Sequence, residues 1–350
     1  METTVAVVGA GPAGCAAALT LRRYLPWMPV MLVSAPAGAG PAAGETLSPG
    51  VLPLLDYLGL RAQFLDAGHL PAGGTASAWG SPHVAERSYL FTGRGTGWHL
   101  DRARFDTWML GQAQSAGACV VHGRALLQGA VRSPSGWLLE VEGAGTVAAR
   151  AVVDATGRSA QLARRLGLRP RRDDALVAEV RWFADDAPRR SSEGALVESV
   201  PDGWWYSASL PGARAVAMFM TDSDLLRQSA WEARLADAPA TARRVERWHP
   251  AGETAVRAAN SQLSPVVATH RQRSSPHRAG SALRHDGVAG IDAVDRERVD
   301  GRGGRLTGAG VVTGRHLGAL ERLAVNQHPS QRRLQQTEQL AQERADLHEP

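Results

Sequence analysis

The stretch "TVAVVGAGPAGCAAALTLRRY", residues 4–24, decides the fold. An apolar, β-rich run leads into Gly9, Gly11 and Gly14, and a segment rich in Ala and Leu follows, which is typical of a helix. This is the G-x-G-x-x-G pattern in its strand, turn and helix setting, where a dinucleotide places its pyrophosphate at the helix N-terminus. Gly9 permits the tight turn, Gly11 lets the backbone approach the ligand, and Gly14 lets the helix pack closely on the strand. The cofactor-binding residues predicted from this pattern are Gly9, Gly11, Pro12, Ala13 and Gly14.

A second strand is predicted at "VMLVSA", residues 30–35. An acidic residue that binds a ribose hydroxyl is expected about 20 positions after the glycine turn, and Ser34 occupies that place. A serine hydroxyl can bind the sugar, but more weakly than a carboxylate. We therefore expect Ser34 to contact the ribose without a change in the class of cofactor.

The composition favours a globular protein with a sizeable core, because 44% of the 350 residues are hydrophobic. All 39 basic residues are Arg, and they are scattered among 34 acidic residues. This pattern argues against a nucleic-acid partner. Two cysteines, no long uncharged apolar stretch and no basic leader predict a reduced, cytoplasmic protein without a membrane span.

Further motifs follow in order: "GETL" (44–47), "GWHLDRARFD" (97–106), "DATGR" (154–158) and "GWWYSASLP" (203–211). With the glycine turn, they resemble FAD-dependent monooxygenases of the p-hydroxybenzoate-hydroxylase fold. Within that fold the chain is most similar to the tryptophan-halogenase-like branch, which includes flavoproteins that oxidise tryptophan side chains in peptides. The resemblance covers roughly residues 3–260.

The resemblance implies an α/β fold: a Rossmann-like FAD-binding domain (1–75 and 97–174) with an inserted antiparallel-sheet substrate domain (76–96 and 175–260). It also implies that Glu45 lies by the flavin, that Arg102 reaches the cofactor phosphates, and that the turn from Asp154 to Arg158 touches the dinucleotide, with Asp154 and Gly157 as the predicted contacts. Each residue has an alternative reading. Arg102 can pair with Asp106 one helical turn away, the "DATGR" segment can be an ordinary turn, and Glu45 can be a solvated carboxylate.

Four runs after residue 174, "ALVAEVRWF", "GALVESV", "GWWYSASLP" and "RAVAMFMTD", predict the strands of the substrate sheet, together with short strands at residues 76–79 and 89–91. Trp204 and Tyr206 would share one face of their strand, and Trp205 would lie on the other. That face could stack a flat aromatic substrate, or the side chains could be sheet core.

These expectations predict an FAD-dependent monooxygenase acting on an aromatic group, such as a tryptophan in a peptide. NAD(P)H or a partner flavin reductase would supply electrons. Halogenases of this branch are thought to use a lysine, and the 350 residues contain none, so oxygenation is favoured over halogenation. No catalytic residue is assigned. The alternatives are a flavin reductase similar to geranylgeranyl reductases and a truncated, inactive flavoprotein.

The segment 261–350 differs from the rest because it contains no aromatic residue. Such a composition buries little surface, so it predicts a poorly ordered tail. A shifted reading frame near residues 264–270 is a second hypothesis, since the family-like sequence stops there. No metal site is expected, because His270, His277 and His285 lack the spacing of metal ligands on a helix.

Overall fold

The computed structural model describes residues 1–36, 45–93, 95–133, 136–185, 194–252, 254–259, 262–263 and 311–313. The strands are β1 (Glu2–Val8), β2 (Val30–Ser34), β3 (Glu45–Leu47), β4 (Leu70–Ala72), β5 (Gly74–Ala78), β6 (Ala85–Ser88), β7 (Gly97–Leu100), β8 (Cys119–His122), β9 (Ala125–Ser133), β10 (Gly136–Val141), β11 (Gly145–Asp154), β12 (Arg171–Arg172), β13 (Leu176–Ala184), β14 (Ala195–Val200), β15 (Gly203–Leu210), β16 (Arg214–Asp222), β17 (His249–Pro250), β18 (Ala255–Ala258), β19 (Gln262–Leu263) and β20 (Val311–Thr313). The helices are α1 (Pro12–Tyr24), α2 (Val51–Leu58), α3 (Arg61–Asp66), α4 (Arg102–Ser115), α5 (Gln161–Arg165), α6 (Trp231–Ala236) and α7 (Pro239–Val245). Short 3-10 helices span Tyr89–Thr92, Gly157–Ser159 and Leu225–Arg227.

The first large sheet has the parallel order β8-β2-β1-β11, and β9 and β10 extend it as an antiparallel meander from β11. The end of β1, Val5 to Val8, is buried, which explains its continuous apolar run. Helix α1 returns over this sheet and buries Ala17, Ala18 and Leu19 in the core. The carboxyl ends of the parallel strands therefore meet at one edge, directly below the start of α1.

The second large sheet has the order β17-β13-β16-β15-β14-β5-β6, with β18 beside β13. Its pairs are antiparallel except for β14 and β5, which come from different parts of the chain and run parallel. Helices α6 and α7 cover one face, where Trp205, Phe219 and Trp231 form a buried aromatic cluster. The strands predicted after residue 174 and the α/β fold class are thus observed.

A small sheet of order β3-β7-β4 lies next to the two large sheets. Beside it the sequence predicted a strand at residues 89–91, and that prediction is wrong, since Tyr89–Thr92 forms a 3-10 helix. The Ser88 hydroxyl accepts a hydrogen bond from the Leu90 amide at 3.2 Å, and Gly93 ends the turn with φ at +63°. These two local contacts favour a turn over an extended chain.

The strands of the second sheet come from residues 74–88 and 176–258, and the exact domain division given above stays a prediction. Most of the segment 261–350, with the three histidines, lies outside the described residues. Within that segment β20 pairs in parallel with Val152–Asp154 of β11, although no motif in the sequence predicted a returning strand. In the described part of the chain, no helix combines the length and apolar character needed to cross a bilayer.

Candidate functional site

A cavity of about 1010 Å³ opens at the carboxyl edge of the first sheet. This volume lies at the upper end of the range for cofactor sites, about 300–1,000 Å³. The glycine turn and α1 form one wall, the turn after β11 forms the second, and α2 and α4 form the third. The residues that line it are Val8, Gly9, Gly11, Pro12, Ala13, Ala16, Thr20, Val33, Ala35, Leu47, Val51, Leu54, Leu55, Tyr57, Leu58, Leu100, Arg102, Phe105, Met109, Gly123, Arg124, Ala125, Ala155, Thr156, Gly157, Ser159 and Gln161.

The three glycines of the turn have different surroundings. Gly9 has φ at +107°, and a Cβ there would lie 2.4 Å from the Ala155 carbonyl oxygen. A Cβ on Gly14 would lie 1.8 Å from the Gly9 carbonyl oxygen. Around Gly11, by contrast, no atom lies within 4 Å of an added Cβ, and this residue lines the cavity. Gly9 and Gly14 therefore allow the backbone to pack closely, whereas Gly11 leaves room for a ligand.

The cavity is suited to an anion. Helix α1 begins with Gly11 as its N-cap and Pro12 in the first turn, and it has neither a side-chain cap nor an acidic residue there. Its first amide groups and its dipole are directed toward the cavity. The lining residues given above include Arg102 and Arg124 and no carboxylate. This donor set fits the pyrophosphate of FAD.

Arg102 pairs with Asp106 and also lines the cavity. Its Nε donates to Asp106 Oδ1 at 2.8 Å, one helical turn along α4, and the same side chain lines the cavity. The ion pair orients the guanidinium, which has several further N–H donors. Contact between Arg102 and cofactor phosphates remains a proposal.

Asp154 supports the second turn from below. Its Oδ1 accepts hydrogen bonds from the Thr156 amide and hydroxyl at 3.1 and 2.5 Å, and its Oδ2 accepts one from the Ala163 amide at 3.0 Å. The carboxylate is buried and is absent from the cavity wall, which Thr156 and Gly157 form instead. Asp154 thus shapes the turn and starts α5, and Gly157, with φ at +64°, presents backbone to the cavity.

Ser34 is buried at the end of β2, and the cavity wall at this point consists of Val33 and Ala35. The geometry therefore gives no support to the predicted ribose contact.

Arg124, which sequence reasoning missed, lines the cavity. It follows β8, the parallel neighbour of β2, so the rule that parallel strands end at one edge was the available signal. Of Glu45 the structure describes only the backbone, in β3.

Cys15 lies directly under the glycine turn. It is fully buried, and its thiol donates to the Ala10 carbonyl oxygen at 3.3 Å. Burial, followed by the nearby charge of Asp106, raises the pKa of Cys15 to about 12. The thiol therefore remains protonated at neutral pH and cannot act as a nucleophile.

A partly buried polar chain joins the cavity wall to the second sheet. Thr46 Oγ1 lies 2.8 Å from His99 Nδ1 and 2.7 Å from the Tyr206 hydroxyl. His99 is fully buried, and Leu47, next to Thr46, lines the cavity. The face of β15 that carries Tyr206 and Trp204 therefore lies beside the cofactor cavity.

Trp204 and Tyr206 are both partly exposed, while Trp205 between them is fully buried, as the alternation predicted. Trp204 pairs with Trp79, and their ring centroids are 6.3 Å apart at 57°. Trp79 is 60% exposed, so this aromatic pair remains open on one side. In the described ranges, no cluster of three or more His, Cys, Asp or Glu side chains is arranged for a metal.

Comparison with known proteins identifies the family. The model of the FAD binding domain family matches residues 2–261. The FAD-dependent oxidoreductase LodB of Marinomonas mediterranea, as that protein is named, is 32% identical over 247 residues, 67% of this chain and 66% of LodB. A tryptophan 2-halogenase of Chondromyces crocatus is 30% identical over 223 residues, 60% of this chain and 41% of that protein. The matches thus span less than two thirds of each relative's length.

Solved structures agree in fold. The peptidyl tryptophan dihydroxylase QhpG, described as essential for tryptophylquinone cofactor biogenesis, is 29% identical with a TM-score of 0.55, over 75% of this chain and 57% of QhpG. The myxobacterial chondrochloren halogenase CndH has a TM-score of 0.65 at 20% identity, over 75% of this chain and 65% of that one. The resemblance inferred from the motifs is confirmed. The chain belongs to the family of FAD-binding-domain flavoproteins.

Proposed function

We propose that this protein is an FAD-dependent monooxygenase that oxidises an aromatic side chain, and that the side chain is a tryptophan carried by a peptide. The observation that carries the proposal is the hydrogen bond between Thr46 and Tyr206. It holds the aromatic face of β15 against the wall of the cofactor cavity. Two relatives named for chemistry on tryptophan, one of them on a peptidyl tryptophan, support the choice of substrate.

When bound, FAD would supply the redox chemistry, namely the activation of oxygen by a reduced flavin. The proposed roles of the chain are binding and exclusion of water. The amides at the start of α1 hold the pyrophosphate, and Arg102 and Arg124 balance its charge. Apolar residues of α2 and α4 that line the cavity, including Leu55 and Phe105, would limit the access of water.

In the proposed reaction one atom of O₂ enters the aromatic ring as a hydroxyl group, and the other leaves as water. NAD(P)H, used directly or through a partner flavin reductase, provides the two electrons. Trp204 and Tyr206 would orient the ring of the substrate by stacking. Oxygenation is favoured over halogenation because the chain has no lysine.

The test is an assay of the full chain with FAD, NADH and an added flavin reductase, in buffer containing chloride and bromide. Free tryptophan and a tryptophan-containing peptide are compared by mass spectrometry. We expect the peptide to gain one oxygen atom per turnover, and a Trp204→Leu variant to raise KM ~10-fold from lost stacking. Trp27→Leu, at an exposed side chain far along the sequence from β15, is the matched control. A halogenated product, or a saturated product formed without oxygen, would refute the proposal.

A further inference from the structure

A second cavity, of about 800 Å³, lies between the β5–β6 hairpin, the start of β14 and α7. Four arginines line it, Arg87 from β6 and Arg243, Arg244 and Arg247 from α7 and the residues that follow. Glu86 is the one carboxylate among its described lining residues. The wall therefore carries an excess of positive charge.

Hydrogen bonds to the second sheet fix Arg244 and the start of α7, which carry part of this cavity's wall. Arg244 donates to the Ser207 and Gly194 carbonyl oxygens at 3.1 and 2.9 Å. The buried carboxylate of Glu198 accepts from the Ala240 and Thr241 amides at 3.0 and 2.6 Å, which fixes the first turn of α7. The cavity is thus a preformed surface on the second sheet.

Helix chemistry alone does not explain the cluster. Cations near the end of α7 are favoured by the helix dipole, which accounts for Arg243 and Arg244. It does not account for Arg87, which comes from a strand some 150 residues earlier in the chain and lines the same cavity. Arg87 and Arg243 are exposed, and no ion pair is found for either within the described residues.

A third cavity, of about 1030 Å³, continues from this one, because both are lined by Thr75, Glu86, Arg87 and Ser88. It extends to Ser48–Gly50, between Leu47 and α2, which both line the FAD cavity. We call the two cavities together the arginine trough. Leu90 and Phe91 line its two parts and are 85% and 93% exposed.

We propose that the arginine trough binds an acidic segment of the peptide or protein substrate, next to the aromatic side chain that is oxidised. Guanidinium groups bind carboxylates through paired hydrogen bonds and attract acidic partners at a distance. The exposed Leu90 and Phe91 would contact apolar residues of the same segment. This inference rests on the proposed function and adds how the substrate is recognised.

The distribution of charge favours a peptide over a nucleic acid. A nucleic acid carries uniform charge along its backbone, whereas three of the four arginines line only one part of the trough and Arg87 lies where the two parts meet. The other end is formed by Ser48, Pro49, Tyr89 and Phe91. A peptide with a cluster of acidic residues followed by apolar and aromatic ones matches both ends.

The experiment measures fluorescence anisotropy of a fluorescein-labelled peptide, a run of glutamates followed by a tryptophan, with the FAD-loaded full chain. The matched peptide has glutamines in place of the glutamates. We expect the glutamate peptide to bind at least ~10-fold more tightly, and the preference to weaken with added salt. The double variant Arg87→Glu, Arg243→Glu is expected to abolish the preference. Arg150→Glu, an equal charge change per site at an exposed position on β11, is expected to retain it.

Equal binding of the two peptides, or an equal loss in Arg150→Glu, would overturn the proposal. So would stronger competition by a single-stranded oligonucleotide than by the unlabelled glutamate peptide. If the double variant fails to fold, Arg87→Gln alone gives the same comparison. The readout needs no turnover, and flavin absorbance is recorded for each variant. Peptide binding without oxidation would therefore refute only the monooxygenase activity.

Discussion

The two large sheets hold their helices by different chemistry. At the first sheet, α1 approaches so closely that a Cβ on Gly14 would lie 1.8 Å from the Gly9 carbonyl oxygen. Here the helix is positioned by direct contact between main chains. At the second sheet, the buried carboxylates of Glu179 and Glu198 bind Arg234 of α6 and the amides of α7. The contact at Gly9 and Gly14 thus tolerates almost no added atom, whereas the second sheet depends on side-chain charges that must remain paired.

The largest effect is expected from Gly14→Val. The new side chain would overlap backbone atoms that cannot move without separating α1 from β1, so we expect a loss of more than ~4 kcal/mol in unfolding free energy. Thermal unfolding and flavin content of the purified protein provide the measurement. Gly111→Val, in α4 with no atom near an added Cβ, serves as the control. A soluble, yellow Gly14→Val protein would contradict the close contact.

The second largest effect on stability is expected at the buried ion pair of Arg234 and Glu179, in the second sheet. Arg234→Leu leaves Glu179 with Arg181 alone, and we expect the unfolding free energy to fall by ~3 kcal/mol. Denaturant unfolding measures it. Arg227→Leu, at an exposed position near α6, should change the stability by less than ~0.5 kcal/mol. Equal losses of unfolding free energy in the two variants would show that the buried ion pair contributes no more to stability than an exposed arginine.

Gly11→Val separates binding from folding. Its side chain would occupy open cavity space, so we expect FAD affinity to fall ~100-fold, about 3 kcal/mol, with the thermal midpoint of the apoprotein unchanged. Titration with FAD followed by fluorescence gives the affinity. Unchanged affinity would mean that the pyrophosphate does not lie at this turn.

Glu198→Gln tests the cap of α7. A neutral amide accepts the Ala240 and Thr241 amide hydrogens less well than a carboxylate does, and we expect a loss of ~1–2 kcal/mol. If α7 also loosens, binding of the glutamate peptide to the arginine trough should weaken in the same variant. Glu246→Gln, at an exposed position just after α7, is the control, and both properties should be retained there.

The smallest effect on stability is expected at Asp101, which joins α4 to β16 of the second sheet. Asp101 caps α4 by accepting from the Arg104 amide at 3.2 Å, and it binds Arg214 at the start of β16. Burial alone would raise the pKa of Asp101, but the Arg104 amide and the Arg214 guanidinium together hold it below the usual value.

Because the folded-state pKa of Asp101 is lowered, its contribution to stability is complete above the unfolded pKa near 4 and is lost as the pH falls through the folded-state value. Asp101→Asn should therefore lower stability by ~1 kcal/mol at pH 7 and flatten the decline in acid. Unfolding measured from pH 7 to pH 3 tests this, with Asp173→Asn as the control. A parallel decline in wild type and Asp101→Asn would contradict it.

Sequence reasoning was most accurate where the conformation of a short segment depends only on the residues within it. The turn at Gly9–Gly14 and the alternation of Trp204, Trp205 and Tyr206 could be predicted because neighbouring residues decide them. It failed at residues 89–91, where the Ser88 hydroxyl and Gly93 favour a 3-10 turn over an apolar strand. Sequence reasoning also missed Arg124. The position of Arg124 depends on which strands are neighbours in the parallel sheet, and the sequence of a single strand does not show this.

The sequence by itself determined the family, the class of cofactor and the position of the glycine turn, because these depend on glycine conformations and contacts within about one βα unit. Only the tertiary structure decided that Asp154 supports its turn from below, that Thr46 joins Tyr206 across 160 residues, and that Arg87 lines one cavity with the arginines of α7. The last two of these contacts join side chains from distant segments, so they form only when those segments pack together in the folded protein.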